Sequence, residues 1–484
     1  MTVAIARTSP LALAAGLATI SLTPPAAADP IFTPGDLLIS TVSSFQGGGL
    51  DAAAPIVLDQ LQLGAGGTSA TPAGSLTLPQ TANGANAPIS GEYGSASEAF
   101  LQLSQDGHYL TIMGYGVNAA TFNSAPLATY GTAALGQTSS LTGGTVTTVP
   151  RVVALINAGG AVDTSTALTG VFNTNNARSA TTVDGSTFYV SGQGASKTDT
   201  TQGVFLATKG ATTATPIDTS TDTRFVSIVN TGSGNALDVS RDFNPPNGGT
   251  QNFTNVSTLT GPGGALPTSS AGLVTTHIVP PASPLSSGAN NGSINLTAAL
   301  ANGVNNARIN SFVYLSPEQF FFASPTVLYV ADSGQPKNGN ANKAALGEGG
   351  LQKWVLTNGV WALDYDLFNG LDLVNNANAN SNTPTAPGVT GLFGLTGKVV
   401  GGNVELFATS YGLNELSPSF LYEITDPLAN TDPNMASTEQ FTTIYSAPAD
   451  TSIRGVAFAP VPEPASLALF GLALGGLGIA RRRR

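Results

Sequence analysis

There is no cysteine anywhere in the 484 residues. That excludes a disulfide framework, thiolate metal sites and a cysteine nucleophile. Histidine occurs only at His108 and His277, each without a neighbouring histidine. A zinc site or a Ser-His-Asp triad therefore has no local support. No G-x-S-x-G, H-E-x-x-H or Walker A pattern is present. Charged residues make up 9% of the chain, well under the ~25% usual in globular domains. Threonine, serine, asparagine and glutamine must carry the polarity instead. Basic residues are the scarcer sign, with 17 Lys+Arg against 28 Asp+Glu, and five of the 17 (Arg7 and Arg481 to Arg484) stand near the two ends. An acidic body argues against nucleic acid or anionic lipid as a partner. Between the two ends no apolar run reaches the length of a membrane span.

Glycine and proline are abundant, at 57 and 31 residues, and they favour turns and extended structure over long helices. The expected body is all-β. Strands begin at Asp36 to Val42, and Gly64 to Pro88 reads as a long loop. Three hairpins announce themselves by two-residue turns at Asp106-Gly107, Asp184-Gly185 and Asn358-Gly359. Pairing outward from the first places Leu103 opposite Leu110 and Leu101 opposite Ile112, with Gln102, Ser104, Tyr109 and Thr111 on the other face. In the third, Trp354, Leu356, Trp361 and Leu363 share one face and Val355, Val360 and Ala362 the other. Both faces are apolar, as in a sheet covered on both sides.

A loose repeat runs through the chain. Openings at Arg178, Thr223-Arg224, Arg308, Val389 and Ser452-Ile453-Arg454 each lead toward a strand such as Phe188 to Gly192, Val327 to Gly334 or Val404 to Ser410. Recurring units of an inner strand, a turn and outer strands suggest a β-propeller of six or seven blades. A pair of β-sandwiches or a β-helix fits the same strands. In the propeller, Ser452 to Phe458 is the innermost strand of a blade that the Asp36 to Leu63 strands complete.

Both ends read as addresses. Arg7, an apolar stretch from Leu11 to Leu22, Pro24-Pro25 and Ala26-Ala27-Ala28 form a secretory signal peptide over residues 1–28. At the other end come Val461-Pro462-Glu463-Pro464, an uncharged apolar run from Ala465 to Ala480, and Arg481, Arg482, Arg483 and Arg484. Sixteen helical residues span about 24 Å, slightly short of a hydrocarbon core of ~30 Å, and the arginines would remain at the cytoplasmic face. Motif, apolar run and basic cluster together resemble the PEP-CTERM sorting signal of exported Gram-negative bacterial proteins. The resemblance implies a transmembrane helix over 465–480 and processing by a membrane exosortase. It also implies residence at the cell surface or in extracellular polysaccharide matrix. The strand-pair motifs are similar to the propeller-like bodies of such proteins. The domains follow as a signal peptide (1–28), a β-rich body (29–459) and a sorting segment (460–484).

Candidate chemistry inside the body is sparse. Asp364, Asp366, Asn369, Gly370 and Asp372 alternate oxygen ligands around a glycine, as Ca²⁺ sites do, but Phe368 interrupts the pattern. Asp332 with Asn338, Asn340 and Asn342 forms a similar polar loop. His108 flanks a hairpin turn. Arg178, Arg224, Arg308 and Arg454 would gather near one end of a propeller channel, either as ion pairs with loop carboxylates or as an anion site. No convergent acid, base or metal group stands out, and no cofactor is implied. The expected function is that of a non-enzymatic surface or matrix-associated binding or structural protein. The alternative is a propeller hydrolase or lyase acting on extracellular polymer.

Overall fold

The computed structural model describes residues 31–463 apart from 48, 96, 126–132, 137–144, 147, 197, 233, 242–254, 280–292, 296–311, 315, 335–348, 372, 374–387 and 413–416. Strands β1 (Leu37–Ser43), β2 (Ala53–Leu63), β3 (Ala70–Thr77), β4 (Ser90–Glu92), β5 (Gln102–Leu103) and β6 (Tyr109–Tyr115) open the body. A short parallel pair follows, β7 (Ala133–Ala134) with β8 (Thr145–Val146), and then β9 (Arg151–Asn157) and β10 (Val162–Leu168). All except that pair join one nine-stranded sheet, together with the last strand, β29 (Thr451–Phe458).

Four further stretches of chain build four separate four-stranded antiparallel sheets, each with its strands in sequence order. The first holds β11 (Ala177–Thr181), β12 (Thr187–Gly192), β13 (Gly203–Thr208) and β14 (Thr215–Asp218). The second holds β15 (Phe225–Asn230), β16 (Asn235–Arg241), β17 (Asn255–Thr260) and β18 (Val274–Val279). After the small pair β19 (Ser293–Asn295) and β20 (Phe312–Tyr314), the third holds β21 (Pro317–Ser324), β22 (Val327–Asp332), β23 (Gly350–Thr357) and β24 (Val360–Leu367). The fourth holds β25 (Val389–Val400), β26 (Asn403–Gly412), β27 (Phe420–Pro427) and β28 (Thr442–Ser446). This is an all-β, propeller-like arrangement. The separate four-stranded sheets number four, not the six or seven expected, because β4 bridges what would otherwise be two groups. It pairs with β2 at Ala53 to Pro55 and with β6 through Ser90 and Tyr115.

Apolar clusters fill the spaces between successive sheets. Met113, Val153 and Leu168 meet Ala180, Phe188 and Phe205; Tyr189, Val204 and Ile217 meet Val226, Leu237 and Leu259. Tyr329, Leu351 and Tyr365 meet Leu392, Leu406 and Ile424. Phe407, Leu421 and Ile444 return to Leu37, Ile39 and Val456 of the first sheet. Most strands are thus covered on both faces, as the third hairpin indicated: Trp354 and Val355 contribute to different clusters.

The ends of the body join as expected. β29 pairs antiparallel with β1, with Leu37 opposite Phe458, Ile39 opposite Val456 and Val42 opposite Ser452. Since β1 also pairs with β2, neither edge of β1 is left as a template for aggregation.

The innermost strands have one edge without a ladder partner, and small hydroxyl and amide side chains from adjacent sheets satisfy it. Ser40 Oγ donates to Ala99 O (2.9 Å) and accepts from Gly455 N (2.8 Å). Ser179 Oγ accepts from Val226 N (2.9 Å), and Thr409 Oγ1 donates to Arg454 O (2.9 Å). Gln102 Nε2 reaches both Ala180 O (2.6 Å) and Val226 O (2.8 Å). These contacts explain how a chain poor in charge and rich in serine and threonine can build a deeply buried centre. The approach is close enough that a Cβ on Gly455 would lie 2.2 Å from Leu101 N. Phenylalanines occupy the same region: Phe100 stacks on Phe393 at 4.1 Å between centroids, and Phe225 lies 5.4 Å from Phe100 and 5.3 Å from Phe320.

The hairpins fall in three different sheets. Leu103 opposes Leu110 and Trp354 opposes Leu363, as read from their turns. Four expectations need correction. At Asp184-Gly185 the register slips by one, to Thr181 opposite Tyr189, because Thr182 Oγ1 accepts the Gly185 N–H (2.8 Å) and widens the turn. The polar face of the first hairpin is buried, with Gln102, Ser104 and Thr111 at 6% exposure or less. The Asn358-Gly359 hairpin joins the outer strands β23 and β24, and the inner strand of its sheet is Pro317–Ser324, not the segment opened by Arg308. Finally, the supposed loop from Gly64 to Pro88 contains β3, an exposed strand paired with β2.

Candidate functional site

Where the chain leaves β29 it runs Ala459-Pro460-Val461-Pro462-Glu463. Between the end of β29 and Pro462 two residues keep an N–H, Ala459 and Val461, and both are used. Ala459 N donates to Asp36 O (2.9 Å) and Val461 N donates to Gly107 O (2.9 Å). Pro460 and Pro462 have no donor to satisfy. The alternation lets the segment leave the sheet in extended form without orphaned amides.

The receiver is the tip of the first hairpin. Asp106 Oδ1 accepts from Ser104 Oγ (2.6 Å) and His108 N (3.0 Å), Ser104 Oγ accepts from Tyr109 N (2.9 Å), and Gly107 has φ 79°. On this rigid turn His108 Nδ1 lies 3.0 Å from Val461 O. A carbonyl only accepts, so Nδ1 carries the proton. Val461 is therefore gripped at both backbone groups by Gly107 and His108, a role that a histidine beside a turn did not announce. Val461, Pro462 and Glu463 are exposed. Pro464, the apolar run 465–480 and Arg481 to Arg484 lie outside the described residues, as does the segment 1–28. No helix among the described residues is long and apolar enough to cross a membrane.

Of the arginines, Arg178 and Arg224 come together and form structural ion pairs, and Arg454 bonds a backbone carbonyl. Arg178 pairs with Asp222 and donates to Gln193 Oε1 (2.7 Å). Arg224 Nη1 lies 3.4 Å from Glu318 Oε1, and Arg454 Nη2 donates to Tyr93 O (2.9 Å). Burial lowers the Arg178 pKa, Asp222 opposes that shift, and neighbouring Arg224 adds to it. With side-chain exposures of 1% for Arg178 and 12% for Arg224, these groups hold the inner strands to one another. Arg308 lies outside the described residues.

From the two oxygen-rich stretches, Asp332 and Asn369 bond within the fold. Asp332 is buried in β22, where Oδ1 accepts from Ser316 N (3.2 Å) and Gly334 N (2.9 Å), and Oδ2 from Gln352 Nε2 (2.8 Å). Asn338, Asn340 and Asn342 are not described. Asn369 Nδ2 donates to Ser437 O (2.9 Å), and Asp366 is buried in β24. Asp372 is outside the described residues, among which no cluster of three or more histidine or carboxylate groups could hold a metal ion.

The sequence reading missed a buried network between β22, β23, β24 and β27. Lys353 Nζ lies 2.8 Å from Asp426 Oδ2 and donates to Tyr365 Oη (2.9 Å), Asn430 O (2.8 Å) and Pro427 O (3.0 Å). Tyr365 Oη also donates to Asp426 Oδ1 (2.7 Å), and Tyr329 Oη donates to Asp426 Oδ2. Burial, and then the Asp426 charge, push both tyrosines up and raise Glu439 to about 8. Lys353 stands 73 positions before Asp426 in the sequence, and no local pattern marks the pair.

Comparison with known proteins places one segment. Residues 460–484 match the PEP-CTERM protein-sorting motif. That motif marks an exported protein recognised by an exosortase and processed at the membrane. No curated protein matches the chain. Among solved structures, a candidate 6-phosphogluconolactonase from Bacteroides uniformis is similar at 10% identity and TM-score 0.34, covering 86% of this chain and 99% of that one. A mutant of Synechocystis apocarotenoid oxygenase gives 11% and 0.20, with 88% and 63% covered. Xylan beta-1,4-xylosidase from Bacillus halodurans gives 9% and 0.21, with 87% and 81% covered.

Proposed function

We propose that this chain is an exported, non-enzymatic binding or structural protein of the cell surface or extracellular polysaccharide matrix. Residues 1–28 act as a signal peptide and 29–459 form the body. Residues 465–480 hold the precursor in the inner membrane with Arg481 to Arg484 at the cytoplasmic face. Exosortase then processes it at Val461-Pro462-Glu463-Pro464. The body counts as a six-bladed propeller when the nine-stranded sheet is divided at β4 into β29-β1-β2-β3 and β5-β6-β9-β10. The observation that carries the reading is the sorting motif beginning where the fold ends, with Val461 fastened to the hairpin tip and the following residues exposed. A binding or structural role is supported by the filling of the centre with phenylalanines and paired arginines. Fractionation of the host with and without its exosortase tests this. The protein should move from the extracellular to the inner-membrane fraction when the enzyme is removed. An unchanged distribution overturns the proposal.

A further inference from the structure

Between the second and third four-stranded sheets the apolar filling gives way to a cleft of about 900 Å³, within the ~300–1,000 Å³ range of small-molecule sites. One wall is a polar row. Asp238, Thr258 and Thr276 oppose one another across β16, β17 and β18 and so share a face, whereas their neighbours Leu237 and Leu259 face the preceding sheet. His277 lines the same wall, with Nδ1 on Ser257 Oγ (2.9 Å). The opposite wall is aromatic: Phe322 and Trp361 meet edge to face at 6.0 Å.

Asp238 is the unusual member. It is 2% exposed, its side chain is bonded by Thr258, and its Oδ1 has no hydrogen-bond partner. An unpartnered buried carboxyl oxygen is costly, and a leucine there would complete the apolar filling seen between the other sheets. Burial raises Asp238 to about 7, so near neutrality its acid form can donate as well as accept. Burial, and then Arg241, lower the pKa of His277, which is neutral there too. Among the described residues no lysine or arginine lines the cleft.

We infer that this cleft binds a neutral saccharide, with the C–H face of a sugar ring against Trp361 and Phe322 and its hydroxyls on Asp238, Thr258 and Thr276. An aromatic surface facing a row of groups that both donate and accept is what a pyranose, apolar on its faces and hydroxylated at its rim, requires. The inference deepens the binding role proposed above and is independent of how the protein is sorted.

Tryptophan fluorescence reports on the site directly. Of the two tryptophans, Trp354 is 2% exposed in the core and Trp361 lines the cleft. The full chain, in a detergent without a sugar headgroup, is titrated with cellobiose, maltose and chitobiose, and separately with tetramethylammonium chloride. At least one disaccharide should give a saturable change with a midpoint at or below about 10 mM. Asp238→Leu should weaken that midpoint at least tenfold while melting no lower than the parent. In Trp361→Ala the fluorescence change should vanish, and calorimetric titration of the same sugar should weaken at least tenfold. No saturation by any disaccharide overturns the inference, as does full binding in both variants. Saturation by the quaternary amine alone makes the cleft an organic-cation site and overturns it too. Failure here, with exosortase-dependent sorting intact, removes the saccharide and leaves the export reading standing.

Discussion

Replacing Lys353 by methionine should destabilise the body strongly although it touches no surface. Lys353 and Asp426 are both at 0% side-chain exposure and 2.8 Å apart. Removing the ammonium leaves the Asp426 carboxylate buried with the hydroxyls of Tyr329 and Tyr365 and the Glu439 carboxyl but no counter-charge from Lys353, and strips a donor from the carbonyls of Pro427 and Asn430. Breaking one side of a buried pair costs about 3–5 kcal/mol. Unfolding entropy of about 2.1 cal/mol/K per residue, over roughly 430 residues, converts this to a Tm lower by about 3–6 °C. Asp426→Asn alone should also destabilise, since it removes the carboxylate in direct contact with the ammonium. Lys353→Met with Asp426→Asn should cost less than the sum of the two by about 1–3 kcal/mol. Scanning calorimetry of the four proteins at one scan rate measures all of this. A Lys353→Met drop under about 1 °C, or additive singles, would refute the reasoning that the two buried charges depend on each other.

Three other expectations are quicker to state. Raised pKa values at Asp238 (about 7), Asp364 (about 6) and Glu439 (about 8), each owed first to burial, mean that the folded state holds protons the unfolded chain has released. Their stabilisation is present below about pH 4 and is lost as pH rises toward 8. Asp163, Asp184, Asp199 and Asp218, whose pKa values are lowered, act oppositely and lose their contribution below about pH 4. Tm should therefore peak near pH 4–5 and decline toward pH 8, and a steady rise to pH 8 would contradict the assignment. Gly455→Ala places a Cβ 2.2 Å from Leu101 N and 2.8 Å from Leu101 Cβ. The inner strands must separate, at a cost of about 1–3 kcal/mol readable by urea unfolding. Deleting Ser452 to Phe458 removes one of the two partners of β1. Hydrogen exchange over Asp36 to Leu63 should then lose protection, and unchanged protection would mean that the closure contributes nothing.

Sequence reasoning succeeded where the determinant was local. Asn358 (φ 53°) and Gly359 (φ 80°) supply the two left-handed residues of a tight turn, so the register beside them could be counted off. It failed at Asp184-Gly185, where a nearby threonine competes for the turn's amide. It failed again at Pro317–Ser324, whose Phe320, Phe321 and Phe322 lack the alternation that marks a half-buried strand. The arginines were found because they recur at equivalent openings, but their carboxylate partners Asp222 and Glu318 were legible only in three dimensions. The same holds for the cleft. Asp238, Trp361 and His277 come from different strands of two sheets, and nothing in the run of the chain connects them. The sorting segment was readable because a short motif, an apolar run and a basic cluster must stand in that order to work, whatever the body does.

The central claim is that this body is delivered by its tail and released from it. Intact-mass measurement of the protein recovered from outside the host cell tests that most directly. The account predicts a chain that has lost the apolar run 465–480 and Arg481 to Arg484, with a new end within or beside Val461-Pro462-Glu463-Pro464. An extracellular protein still carrying the complete tail would contradict it.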